Sequence, residues 1–170
     1  MKLKNKKAFV TGGSSGIGAA IATLFAKEGA DISFCHFKDD TKANLVMEKI
    51  NGYGRKCFNQ NIDIGKKDNC DEFFQNSLQS IGEPDILVNN AGIIYARPFE
   101  EATESEFDET LNVHLKSTFF LTQNCYKIMK KNKSGRIINI SSQLYFQVAQ
   151  TEQITVQLRA EFFHLLELCL

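Results

Sequence analysis

Short apolar runs alternate along this chain with stretches whose apolar residues recur at helical spacing. Runs at 7–10, 31–36, 56–62, 85–89 and 136–140 read as strands. The segments 17–27, 41–50, 69–80 and a long region over 104–131 read as helices. Ile86-Leu87-Val88 and Ile137-Ile138 show no polar alternation, as expected where helices cover both faces of a sheet. Strand–helix alternation of this kind predicts an α/β fold, a Rossmann-like doubly wound parallel sheet of about five strands. Gly29, Asn51-Gly52-Tyr53-Gly54, Gly82-Glu83-Pro84 and Ser134-Gly135 fall between the elements as turn signals, and no internal repeat or interdomain linker interrupts them.

The first strand-to-helix junction carries the densest chemical signal, Thr11-Gly12-Gly13-Ser14-Ser15-Gly16-Ile17-Gly18. A strand that turns directly into a helix leaves the first N–H groups of that helix pointing at whatever sits above the turn, and a phosphate suits them. Gly12 supplies a positive φ, Gly16 lets the backbone approach a ligand, and Gly18 lets the helix pack against the strand. Glycine-rich turns also serve as plain connectors, so the remaining strand ends have to decide.

Ligands of open α/β sheets bind outside the carboxyl ends of the strands. After the second strand stands His36-Phe37-Lys38, where a carboxylate would hydrogen-bond a ribose 2′-hydroxyl and repel a 2′-phosphate. Neither 36 nor 37 is acidic and Lys38 is basic, which favours NADP over NAD; Asp39-Asp40 and the absence of a cation at Ser15 pull the other way. Asp63 and Ile64, after the third strand, flank an adenine position. Asp63 has a second reading as cap of the helix starting near Lys66. Asn89-Asn90-Ala91-Gly92 follows the fourth strand, with amides suited to tie neighbouring strands and small residues that let a cofactor lie close.

Composition narrows the classes. Twenty Lys and Arg balance twenty Asp and Glu, which gives no reason to expect nucleic-acid or anionic-membrane partners, and the lysines at 2, 4, 6 and 7 read as a solvated edge. No apolar run approaches membrane-spanning length, and the cytoplasm is the expected compartment. Five scattered cysteines, Cys35, Cys57, Cys70, Cys125 and Cys169, suggest neither a disulfide framework nor a metal site.

The glycine turn at 11–18, Asn89-Asn90-Ala91-Gly92 and Arg136-Ile137-Ile138-Asn139-Ile140-Ser141-Ser142 together resemble the short-chain dehydrogenase/reductase family, over nearly the whole chain to about Ile154. The likeness is to reductases of the 3-oxoacyl-carrier-protein reductase and sugar or alcohol dehydrogenase type. It implies an NAD(P)-binding domain over 1–154, hydride transfer between a nicotinamide and a small carbonyl or alcohol, and a homo-oligomeric state. It implies cofactor contacts at Gly12, Ser14, Ser15, Gly16, Ile17, Gly18, Phe37, Asp63, Ile64, Asn90, Ala91 and Gly92. Ser142 matches the catalytic serine that holds the substrate oxygen. His114 matches the position of an asparagine that anchors a water relay, and imidazole can still donate and accept there.

The family's Tyr-x-x-x-Lys pair is expected near 155 and 159, where this chain has Thr155 and Arg159. A phenol needs a nearby cation to become a useful base at neutral pH, and arginine cannot activate an absent phenol. The segment 155–170 departs from the family as a whole, although Leu158, Phe162, Leu165 and Leu166 keep helical spacing. If Ile154 is encoded ATT, reading one base earlier turns the next codons into Tyr-Ser-Ala-Thr-Lys. The sequence reading therefore expects a frameshifted, catalytically impaired and truncated reductase with an aberrant tail over 155–170, an oligomeric state in doubt, and an exposed fifth-strand edge. Its alternative is a non-catalytic remnant that at most binds a dinucleotide. Coding DNA with no open frame through two further strands would refute the frameshift.

Overall fold

A computed structural model of the chain describes residues 1–95 and 98–141. Five strands form one parallel sheet: β1 (Lys7–Thr11), β2 (Asp31–His36), β3 (Cys57–Asn61), β4 (Ile86–Asn89) and β5 (Arg136–Asn139), in the spatial order β3-β2-β1-β4-β5. The helices α1 (Gly16–Lys27), α2 (Asp40–Gly52) and α3 (Lys67–Ile81) pack on its two faces, as does α5 (Ser117–Asn132), into which the short α4 (Glu104–Leu111) leads. This is the Rossmann-like doubly wound arrangement that the strand–helix alternation predicts. No helix among the described residues is long and apolar enough to cross a membrane.

Alternation along β1 divides the core. Ala8 and Val10 join Ala22, Ala26, Phe34, Val46 and Ile50 on one face, while Phe9 meets Phe73, Phe74, Leu121 and Met129 on the other. Phe9 packs edge-on against both Phe73 and Phe74, with ring centroids 6.2 Å apart in each pair. One polar link crosses this apolar layer. The Ser33 and Ser77 hydroxyls lie 2.6 Å apart between β2 and α3, and Ser77 Oγ also reaches the Phe73 carbonyl.

The outer strands are less covered than the pattern suggests. β3 reads Cys-Phe-Asn-Gln-Asn and is only part-buried, because it forms the edge beyond β2. β5 pairs with β4 alone among the described residues, and Ile138 is exposed. The basic N-terminus is not wholly solvated either: Lys6 Nζ lies 2.7 Å from Asp85 Oδ1 and ties the entry of β1 to that of β4. Cys35, Cys70 and Cys125 are buried and Cys57 half-buried, all as free thiols; burial pushes Cys35, Cys57 and Cys70 up to about 12 and Cys125 higher still. Ser142 and the tail at 155–170 lie outside the described residues.

Candidate dinucleotide site

The carboxyl ends of β1, β2 and β4 and the segment after β3 open onto a cleft of about 310 Å³. Gly12, Ser14, Ser15, Phe37, Asp63, Ile64, Asn90, Ala91 and Gly92 line it, nine of the residues that the sequence singles out. Gly16, Ile17 and Gly18 begin α1 beside it.

Each glycine of the turn meets a separate demand. Gly12 has φ +66°, and a Cβ there would lie 3.0 Å from the Ala91 Cα. At Gly18 a Cβ would fall 2.2 Å from the Gly12 carbonyl oxygen, so the helix start and the turn close on each other only without a side chain. Gly16, at φ +52°, faces open space. Gly13, which the sequence did not distinguish, would drive a Cβ to 2.5 Å from the Phe34 Cβ. Ser15 precedes α1 with no side-chain cap, and no acidic residue stands in the first turn. The leading N–H groups are thus left for an anion.

Asn90 locks the turn to β4. Its Nδ2 donates to the Thr11 and Gly12 carbonyls at 3.0 and 3.2 Å, and the Asn90 and Ala91 N–H groups both donate to Thr11 Oγ1 at 2.9 Å. One residue earlier, Asn89 Nδ2 reaches Asn139 Oδ1 of β5 at 2.9 Å and Thr122 Oγ1 of α5 at 3.2 Å. The two amides therefore bind β4 to the elements on either side, as their placement after an apolar strand suggests.

Asp63 does not cap α3. That helix begins at Lys67 after an N-cap, Lys66, that makes no side-chain bond, while Asp63 Oδ1 accepts from the Gly65 N–H at 2.9 Å. Asn69 Nδ2 reaches back to the Asp63 carbonyl at 2.7 Å, which holds the loop in shape. The carboxylate is left on the wall of the cleft.

Between α4 and α5 the helix makes one wide turn, Asn112–Lys116, with π-type hydrogen bonding. Such bulges concentrate at functional sites. This one carries the buried His114, whose Nε2 lies 3.0 Å from both the N–H and the carbonyl of Ile93, just past the Asn-Asn-Ala-Gly segment. One tautomer accepts from the N–H and the other donates to the carbonyl. Thr118 Oγ1 and Ser117 Oγ take up the His114 and Val113 carbonyls at 2.7 and 2.5 Å. Asn112 instead accepts from Lys116 Nζ.

A family model described as short chain dehydrogenase matches residues 6–153. The chain belongs to this family. Among its family relatives are L-rhamnose 1-dehydrogenase (NADP(+)) of Thermoplasma acidophilum, 36% identical over 84% of this chain and 56% of that protein, and the 3-oxoacyl-(acyl-carrier-protein) reductase FabG of Staphylococcus epidermidis, 35% identical over 81% of this chain and 57% of that protein. A solved structure, a blue fluorescent protein from a metagenomic library in complex with NADPH, superposes with a TM-score of 0.86 at 32% identity, covering 96% of this chain and 66% of its own. The chain spans little more than half the length of these curated short-chain dehydrogenase relatives.

The structure also brings forward cleft residues that the sequence did not mark. Cys35, His36, Ile62, Ile93, Glu109 and Val113 line the wall. His36 ends β2, where a carboxylate is the residue type expected to meet a ribose. Glu109 and Val113 enter through the docking of α4 and the wide turn, for which no local sequence signal exists.

Proposed function

We propose that this chain is the dinucleotide-binding part of an NAD(P)-dependent oxidoreductase whose substrate is a small carbonyl or alcohol, and that NADP is its preferred cofactor. The observation that carries this reading is the convergence of the uncapped start of α1, the open Gly16 and the Asn90-clamped turn on one cleft. The first N–H groups of α1 and the turn at 12–18 would hold the pyrophosphate, Phe37 with Asp63 and Ile64 the adenosine, and Asn90, Ala91 and Gly92 the nicotinamide side. A bound nicotinamide dinucleotide supplies or accepts the hydride. Two observations support NADP: Lys38 stands beside the cleft with Nζ over the Phe37 ring at 4.6 Å, and the first relative above is named for NADP(+).

Ser142 would hold the substrate oxygen, and His114, fixed on Ile93, would anchor the proton relay. Thr155 and Arg159 stand where the family's proton donor and its activating lysine are expected, just past the end of the family match. They support a second reading, in which this chain binds the dinucleotide without turnover, and it is the reading we adopt for the chain by itself. NADPH at saturation should raise Tm by several degrees through mass action, since binding at about 100-fold above Kd is worth roughly 2.7 kcal/mol. NADPH oxidation with a panel of ketones should stay at background. Turnover that disappears in Ser142→Ala would restore the active-enzyme reading, and a Tm indifferent to NADPH and NADH would remove the dinucleotide reading altogether.

A further inference from the structure

A parallel sheet puts all of its strand entries on one edge, and the charges of this chain are not shared evenly between its two edges. The segments leading into β1, β2, β3, β4 and β5 lie at the amino end, opposite the cleft, and the last turns of the helices reach the same edge. Acidic side chains in those segments already have partners. Asp31 takes Arg55 at 2.6 Å, Asp85 takes Lys6 at 2.7 Å, Glu28 lies 3.9 Å from the amino terminus, and Glu83 accepts from Asn132 Nδ2 at 2.7 Å. Lys2, Lys4, Lys56 and Arg136 stand at the strand entries without a side-chain ion pair among the described residues. Lys27, Lys49, Lys130 and Lys131 follow in the last turns of α1, α2 and α5. All of these cations are exposed. The opposite edge is the acidic one, with Asp40, Asp68, Glu104 and Glu106 in the first turns of α2, α3 and α4. A formal net charge of zero therefore conceals a dipole whose basic pole faces away from the cleft.

Lysine in a last helical turn complements the helix dipole, which accounts for Lys27, Lys49, Lys130 and Lys131. Lys2, Lys4, Lys56 and Arg136 lie outside the helices and have no such role. Two apolar groups stand among these cations: Met1 is 79% exposed, and Tyr53, which caps α2, is 44% exposed. Exposed apolar tips ringed by lysines match a lipid–water interface, where the tips enter between headgroups and the lysines meet phosphates. We infer that the amino-end edge of the sheet docks on an anionic phospholipid surface.

Other occupants fit this face less well. A second copy of the chain, seated by two-fold symmetry, would set lysine against lysine. Nucleic acid is read by arginine forks, whereas Arg136 is the one arginine at this edge without an ion pair among the described residues, and an exposed methionine gains nothing from a phosphate backbone. Ammonium point charges spread along an edge suit a diffuse negative surface. Each cation held near an anionic bilayer favours binding about fivefold, so a few acting together separate anionic from neutral vesicles by about a hundredfold. Glu48 of α2 and Glu83, which have no cationic partner among the described residues, temper that attraction. The face lies away from the cleft, and the inference is independent of the dinucleotide reading.

Co-sedimentation of the full chain with phosphatidylcholine vesicles, with and without about 30% phosphatidylserine, at about 0.1 M and about 0.5 M NaCl tests this. The anionic vesicles should bind the chain at least about tenfold more tightly than the neutral ones, and the higher salt should release it. Lys4→Gln and Lys56→Gln should each weaken binding about fivefold, whereas Lys42→Gln, which removes the same charge at the opposite edge, should leave it unchanged. Equal binding to both kinds of vesicle, or equal losses in all three variants, would overturn the inference. So would retention of an RNA or DNA duplex under conditions in which the anionic vesicles are not bound. The chain contains no tryptophan, so the emission of Tyr53→Trp reports on the docked face alone. That emission should move to the blue with anionic vesicles and be quenched by brominated acyl chains; vesicle binding with neither change would overturn the assignment of this face.

Discussion

The β1–α1 turn and the β2–α2 corner sit side by side at the same edge of the sheet, yet they are built from different materials. The turn is made of backbone: Gly12, Gly13 and Gly18 with no room for a Cβ, Gly16 in an open left-handed conformation, an uncapped helix start, and one amide that clamps two carbonyls. The corner is made of side chains, with His36, Asp40 and Asn61 joined through a single carboxylate oxygen and Lys38 lying across Phe37. Backbone geometry tolerates few residue types and is indifferent to pH. Side-chain geometry can change its hydrogen-bonding polarity without changing its shape. Under the reading proposed above, the first would hold the diphosphate common to all dinucleotides.

The hardest break in this comparison is Gly18→Val. A Cβ 2.2 Å from the Gly12 carbonyl and 2.5 Å from Asn90 Nδ2 cannot be relieved by a side-chain movement alone. A loss of about 3 kcal/mol is expected in urea denaturation, against about 1 kcal/mol for Gly16→Ala, where only the left-handed backbone resists. Equal costs at the two sites would show that the turn is not set by close packing.

Asn90→Ala comes next. It leaves the Thr11 and Gly12 carbonyls without the Nδ2 donor, so that only the backbone bonds to Thr11 Oγ1 tie the turn to the end of β4, at an expected cost of about 2 kcal/mol. Hydrogen exchange should show α1 losing protection ahead of the rest of the sheet. Loss spread evenly over the chain would place the clamp elsewhere.

Asp40→Asn should have the smallest effect, and its sign is fixed by the pairing. The carboxyl is depressed by the hydrogen bond from His36 and then by that from Asn61. Its contribution is therefore present above the unfolded value and lost as pH falls through the folded one. Because Asp40 is exposed, water screens most of this gain. The difference in urea midpoint between wild type and Asp40→Asn should be small at neutral pH and shrink as pH falls below the ordinary carboxylate value and through the lowered folded one. A difference that persists there would assign the effect to packing at the corner and not to charge.

The contrast also explains what could be read without coordinates. Gly12, Gly18 and the Asn89-Asn90 pair were readable because few residues satisfy a positive φ, a close approach or a double carbonyl clamp. The run at 31–36 coincides with β2, since it is short and bounded on both sides. The region 104–131 read as one helix, because apolar spacing averaged over many turns does not register a single wide one. Asp63 was ambiguous for a local reason: a carboxylate a few residues before a helix can cap it or fold back, and here it meets the Gly65 N–H. The partners of His36 are not legible around position 36, because Asp40 stands in α2 and Asn61, which shares its carboxylate oxygen, in β3.

The wide turn at Asn112–Lys116 has an implication for insertions and deletions. A π-type turn accommodates one residue more than an α-turn while the helix on either side keeps its facing. Removing a single residue from this stretch should let α4 and α5 fuse into one uninterrupted helix, each still seated on its own neighbours, while His114 swings off Ile93. At this place in the chain, length is a variable that the fold can absorb locally, and the contact between helix and β4 loop is what the extra residue supports.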